Sequence, residues 1–151
     1  MGNLGDSFPK KLRNEFAQKN ICIGSVIRVP VQDTTPPKIK RLIIVGIEED
    51  NVLLATAFIN SEININILNT PELTSLQYGL QTLNCDFIDR DSFVDCSIIK
   101  ERKIQKLKEY ISNNPNAVMG ELEEKDLERI KGLLISATTI PIHLKKKYCL
   151  L

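Results

Sequence analysis

The spacing of apolar residues changes several times along this chain, and each change marks an element. Phe8, Leu12 and Phe16 recur every four positions and predict a short amphipathic helix. Ser7 is its expected cap, Pro9 sits in its first turn and Asn20 is its stop. Lys10, Lys11 and Arg13 fall off the stripe, so this helix is expected to pack on the outside of the main body. From Ile23 the pattern becomes β-rich. Val26, Ile27, Val29 and Val31 lie in a run ending near Gln32, and Pro30 argues for an edge position or a bulge. Asp33-Thr34-Thr35-Pro36-Pro37 reads as a loop. A strand is expected over Lys38–Ile47, a hairpin turn at Glu48-Glu49-Asp50-Asn51 and a third strand from Val52 to Ile59. These runs predict an antiparallel meander.

Asn60 to Asn69 is polar and asparagine-rich. Thr70-Pro71 followed by Glu72 signals a helix start, with Leu73, Leu76 and Leu80 as its apolar face. A second β region is expected around Gln81–Leu83 and Ser92–Ile99. There Phe93, Val94, Cys96 and Ile98 are apolar and Asp95 interrupts them. The last third reads as helical. Ile104, Leu107 and Ile111 mark one helix, ended by Asn113-Asn114-Pro115. Leu122, Leu127, Ile130, Leu133 and Leu134 mark another, with Gly120 as the break between them. The expected class is α+β, mainly β: a small, strongly bent antiparallel barrel with helices on one side. Residues 1–151 are read as one domain, with a helix over 1–20, the barrel over 21–99 and a helical region over 100–151.

Composition narrows this picture little. Hydrophobic content of 42% and charged content of 26% suit a globular chain with a real core. A formal net charge of +1 means that attraction to a polyanion has to come from local patches. No window has the roughly 18 consecutive apolar residues of a membrane span. Met1 to Asn20 lacks the apolar centre of a signal peptide, so a cytoplasmic location is expected. Cys22, Cys85, Cys96 and Cys149 are widely spaced and there is one histidine, so no metal site is expected; Cys22 and Cys96 read as core-facing thiols. No glycine-rich phosphate loop or hydrolase elbow is present, and no cofactor is expected.

Candidate chemistry begins at Lys38-Ile39-Lys40-Arg41, which sits directly against the apolar run Leu42-Ile43-Ile44-Val45. Cations at the mouth of a buried strand form an anion site on a rigid element, or act as gatekeepers beside an aggregation-prone segment. Alternation places Asp95 on the face of Phe93 and Ser97. Such a carboxylate is a general acid or base if its pKa is shifted, and otherwise an exposed residue or an ion-pair partner. Basic residues cluster at Lys100, Arg102, Lys103, Lys106 and Lys108, some of them on one helix face opposite Ile104 and Leu107, as a contact for RNA phosphates or a solvated face, and His143 reads as a solvated tail residue.

The order of several segments resembles one family. Gly24-Ser25-Val26 opens a strand, a Pro-rich loop follows, and Arg41 precedes Ile43-Ile44-Val45. Asn60-Ser61 ends the next strand. Then come Asp91-Ser92-Phe93-Val94-Asp95-Cys96-Ser97 and Gly120-Glu121-Leu122 running on to Ile130. This is similar to the MazF/PemK family of toxins from bacterial toxin–antitoxin systems. The likeness covers roughly Gly24 to Leu134. The family's Arg-Pro is Arg41-Leu42 here, its Thr-Ser is Asn60-Ser61, and Ile104 to Met119 is inserted.

The resemblance implies an SH3-like barrel and metal-independent cleavage of single-stranded RNA, in which a ribose 2′-hydroxyl attacks the adjacent phosphorus. It implies catalytic roles for Arg41, Ser61 and Asp95 and RNA contacts for Lys38, Lys40 and Asn60. It also implies a homodimer held inactive by an antitoxin. The alternative is a non-catalytic barrel serving as an RNA- or protein-binding module, favoured by the altered residues after Arg41 and at Asn60.

Overall fold

In the computed structural model, residues 9–31, 38–63 and 70–150 are described. The loop expected at 33–37, the cap at Ser7, Phe8 and most of the asparagine-rich stretch lie outside them. Among the described residues the class is α+β, with seven antiparallel strands and five α-helices. Three strands form the meander: β1 (Ser25–Val31), β2 (Lys38–Ile47) and β3 (Leu53–Asn60). The turn between β2 and β3 passes through Asn51 in left-handed backbone, a conformation asparagine tolerates. β4 (Gln77–Leu80), β5 (Ser92–Asp95), β6 (Lys100–Lys103) and β7 (Val118–Glu121) complete the sheet. Its order is β4-β5-β3-β2-β1-β7. β6 pairs with the first half of β3 and β5 with its last two residues, and the sheet curls into a half-barrel.

β2 is buried on both faces, which is why Leu42 to Val45 is a continuous apolar run. Val26, Ile43, Ala57, Ile59 and Val94 point into one cluster. Helix α4 (Glu124–Ser136), through Ile130 and Leu134, and the C-terminal Tyr148 and Leu150 close it. Ile27, Val29, Val31, Leu42, Ile44 and Leu54 point into the other cluster. Helices α1 (Lys10–Asn20) and α3 (Ile104–Asn113) cover it with Ala17, Leu107 and Ile111. Short α2 (Pro71–Ser75) is capped by Thr70, whose hydroxyl accepts from the Leu73 amide. Helix α5 (Ile142–Lys147) carries buried Lys145, whose ammonium donates to the Ile135 and Ala137 carbonyls at the end of α4, 2.7 Å each. These are carbonyls a helix end otherwise leaves unmet.

Several expectations need correction. Leu12 and Phe16 are exposed, and α1 docks through Ala17 instead, with Asn14 accepting from Ser112 of α3. A small residue at the contact lets the two helix backbones approach. The strand expected over Gln81–Leu83 is β4, at Gln77–Leu80, so Leu80 belongs to a strand and not to a helix face. The strand expected over Ser92–Ile99 stops at Asp95. The Asp95 carboxylate accepts from the Ser97 amide and hydroxyl and closes a turn there. Of the clustered basic residues, Lys100, Arg102 and Lys103 lie in β6, and Lys106 and Lys108 on α3. Gly120 sits inside β7, so the sheet takes strands from beyond residue 99. Cys96 is buried as expected, whereas Cys22 is only half-buried. Pro30 lies beyond the three β1 residues that pair with β7, so that flank of β1 needs no donor from it.

Candidate anion-binding groove

Register decides which side chains meet. Arg41, Ile59, Val94 and Tyr78 form one row across β2, β3, β5 and β4. Partners in an antiparallel row share a face, so Arg41 lies on the side of the Ile43 cluster. Lys40, Asn60, Phe93 and Asp95 alternate with that row and lie on the opposite side.

At the end where β2 begins and β3 finishes, both sides meet in a groove of about 380 Å³. Its lining includes Lys38, Lys40, Arg41, Asn60, Ser61 and Arg90. Five of the six expected site residues are therefore brought together. The sixth, Asp95, is not. It lies across the sheet from Arg41 and is held by Gln77 Nε2 at 2.8 Å and by Ser97. Arg41 and Ser61 therefore line the groove without Asp95, which lies on the Lys40 side of the sheet and acts electrostatically on Lys40.

The carboxylate that does reach Arg41 is Asp89, 2.9 Å from Nη2. Its side chain is 84% exposed, so the ion pair is weak and readily exchanged. Arg41 Nε is buried and makes no hydrogen bond among the described residues. Asp89 thus holds only part of a guanidinium fork suited to two oxygens. Lys40 Nζ donates to Asn60 Oδ1 at 2.8 Å. Burial lowers the Lys40 pKa, neighbouring Lys38 lowers it further and Asp95 opposes both. Arg28, exposed on β1, stands directly opposite Arg41. Among the described residues no acidic side chain pairs with it.

Sequence reading missed Arg28, Asp89 and Arg90. Arg28 carried a signal, since alternation sets it apart from buried Ile27 and Val29. Asp89 and Arg90 sit in an irregular segment with no period to read.

A second cleft, about 360 Å³, includes Tyr78, Cys85 and Asp126. The Tyr78 hydroxyl donates to Asp126 at 2.6 Å, and burial together with that carboxylate pushes its pKa up to about 12. Burial also raises the Cys85 thiol. Neither group is poised as a base or nucleophile near neutrality. Among the described residues no group of three or more His, Cys, Asp or Glu is arranged to hold a metal ion, and no helix is long and apolar enough to cross a membrane.

No protein-family model matches the chain, and no curated protein matches it. The likeness to the toxin family rests on the order of short segments alone.

Proposed function

We propose that this chain is a single-stranded-RNA-binding module whose phosphate site is the groove at the ends of β2 and β3. The carrying observation is the convergence of Lys38, Lys40, Arg41 and Arg90 on one groove, with Arg28 directly opposite Arg41. Their one acidic neighbour in the lining is exposed Asp89. Asn60 and Ser61 add an amide and a hydroxyl, groups able to meet a ribose 2′-hydroxyl. An SH3-like barrel is the finer fold this reading expects, and the curled sheet supports it.

The test is fluorescence anisotropy of a labelled RNA oligonucleotide over a range of salt. Neutralising about four phosphates gives a slope of log K against log salt near −3. Arg41→Ala should weaken binding and flatten the slope. Asp89→Asn should tighten binding, because it removes the carboxylate that competes for Arg41. No binding at low salt, or binding indifferent to Arg41, overturns the proposal.

A second reading, metal-independent cleavage, is favoured by the presence of Arg41 and Ser61 in the groove with the Asp89 carboxylate beside them. A base there takes the 2′-hydroxyl proton, O2′ bonds to phosphorus and the P–O5′ bond breaks as O5′ takes a proton from water. The products are a cyclic phosphate and a 5′-hydroxyl. Arg41 is the group placed to follow charge onto the phosphorane. Incubation of RNA in chelator, with end-group analysis, separates cleavage from binding alone. An antitoxin partner and a homodimer belong to this second reading, and sedimentation of the purified chain tests the homodimer.

A further inference from the structure

Among the described residues, no helix packs over the part of the sheet face beside the groove. The cluster beneath α1 and α3 draws its strand residues from β1, β2, β3 and β7, and none from β4 or β5. Beyond that cover, one face carries Phe58 and Asn60 of β3, Phe93 and Asp95 of β5, and Gln77 and Gly79 of β4. Phe93 is half-buried yet belongs to neither hydrophobic cluster. Its partner across the ladder is exposed Gly79, where even an added Cβ would lie 4.0 Å from the ring. The flank of the ring is therefore free of any side chain from that position. Phe58 touches the second cluster at its edge. Two cations stand over its ring: Lys40 Nζ at 5.8 Å from the centroid and Arg102 Cζ at 5.6 Å.

We infer that this face binds the bases of a single RNA strand, with Phe58 and Phe93 as the stacking platforms. The inference rests on the proposed RNA-binding function and adds a base site to its phosphate site. Three observations carry it. Asn60 is the ladder partner of Phe93, so Phe58, two residues earlier, is its diagonal neighbour. Diagonal neighbours sit about 7–8 Å apart, within reach of adjacent nucleotides of one strand. Cations around an aromatic plane favour a polyanion whose bases have π-faces over an apolar peptide. Finally, Lys40 joins the two sites: it lines the groove, donates to Asn60 and stands over Phe58. A strand with its phosphates in the groove therefore has its bases delivered to this face. The amides of Asn60 and Gln77 lie among the rings and offer base edges hydrogen bonds.

Phe93→Leu is the primary test, because Phe93 supports no core cluster. Phe58→Leu is the second variant and Phe93→Tyr the conservative one. Two probes are titrated by anisotropy or competition: oligouridylate, and inorganic polyphosphate, which has charge without bases. Each leucine variant should weaken oligouridylate binding roughly 5- to 150-fold, the range expected for one lost stacking contact. Polyphosphate binding and the salt slope should not change, and Phe93→Tyr should bind as wild type does. Wild-type affinity for oligouridylate in both leucine variants overturns the base site and leaves the phosphate groove standing. Parallel loss of polyphosphate binding with a lowered melting temperature marks a structural role and also overturns it. If the wild type binds no oligouridylate, the base site and the RNA-binding function fall together.

Discussion

Arg28 of β1 and Arg41 of β2 are direct partners across an antiparallel ladder. Like charges in that position destabilise a sheet. Pairing of Arg41 with exposed Asp89 relieves only part of the repulsion, since Asp89 engages one nitrogen of the guanidinium. An anion bound between two arginines on partner positions would remove that repulsion. The geometry that weakens the free protein would in this way strengthen the proposed phosphate site.

This trade gives a variant with opposite effects on stability and binding. Arg28→Thr removes the repulsion and puts a β-branched residue in a strand. Unfolding free energy should rise by about 0.2–1 kcal/mol, read from urea titrations. The salt slope for RNA should become shallower by about 0.7, one phosphate contact. A destabilised Arg28→Thr would mean that the arginine supports the fold and is not an anion ligand.

The sequence revealed the meander and not its completion, for physical reasons. Leu42 to Val45 is apolar because both faces of β2 are buried, and that run is legible without a partner. Lys100-Glu101-Arg102-Lys103 has no apolar alternation, and its strand conformation is imposed by pairing with Leu53 to Thr56. β7 is equally dependent on its partner, with Gly120 set against Val26. In α1 the period was readable but the buried side was not, because a docking alanine leaves no hydrophobic signal. Among the site residues, cations flanking an apolar strand could be found by inspection. The side taken by Asp95 depended on the β3–β5 register, and the position of Asp89 on an irregular segment without a pattern.

Gly46 fixes how the C-terminus docks. A Cβ at this position would lie 2.6 Å from Tyr148 Cβ, an atom tied closely to its own backbone. Gly46→Ala should therefore cost about 1–3 kcal/mol by forcing the Tyr148 segment off β2. Thermal melts of Gly46→Ala, Tyr148→Gly and the double variant form a cycle. The double variant should lose clearly less than the sum of the single losses, because glycine at 148 has no Cβ for the new methyl to meet. Additive losses would place the strain elsewhere.

The same segment makes stability depend on acid. Lys147 Nζ reaches Glu101 at 2.8 Å, and the Tyr148 hydroxyl donates to the same Glu101 oxygen at 2.6 Å. The hydrogen bond from Lys147, and then that from Tyr148, hold the Glu101 carboxyl below the ordinary glutamate value. A depressed carboxyl favours the folded state above the unfolded pKa of about 4.3, and that contribution fades as pH falls through the lower folded value. Above that window the tie between α5 and β6 is at full strength. Inside it, the unfolded chain takes up a proton that the folded chain resists. Urea midpoints should therefore fall on acidification from about pH 6 to about pH 3, and Glu101→Gln should flatten that limb. The variant should be less stable than wild type near neutrality, and the gap should narrow in acid. An acid limb of unchanged steepness in Glu101→Gln would show that other carboxylates set it and that this contact is not under proton control.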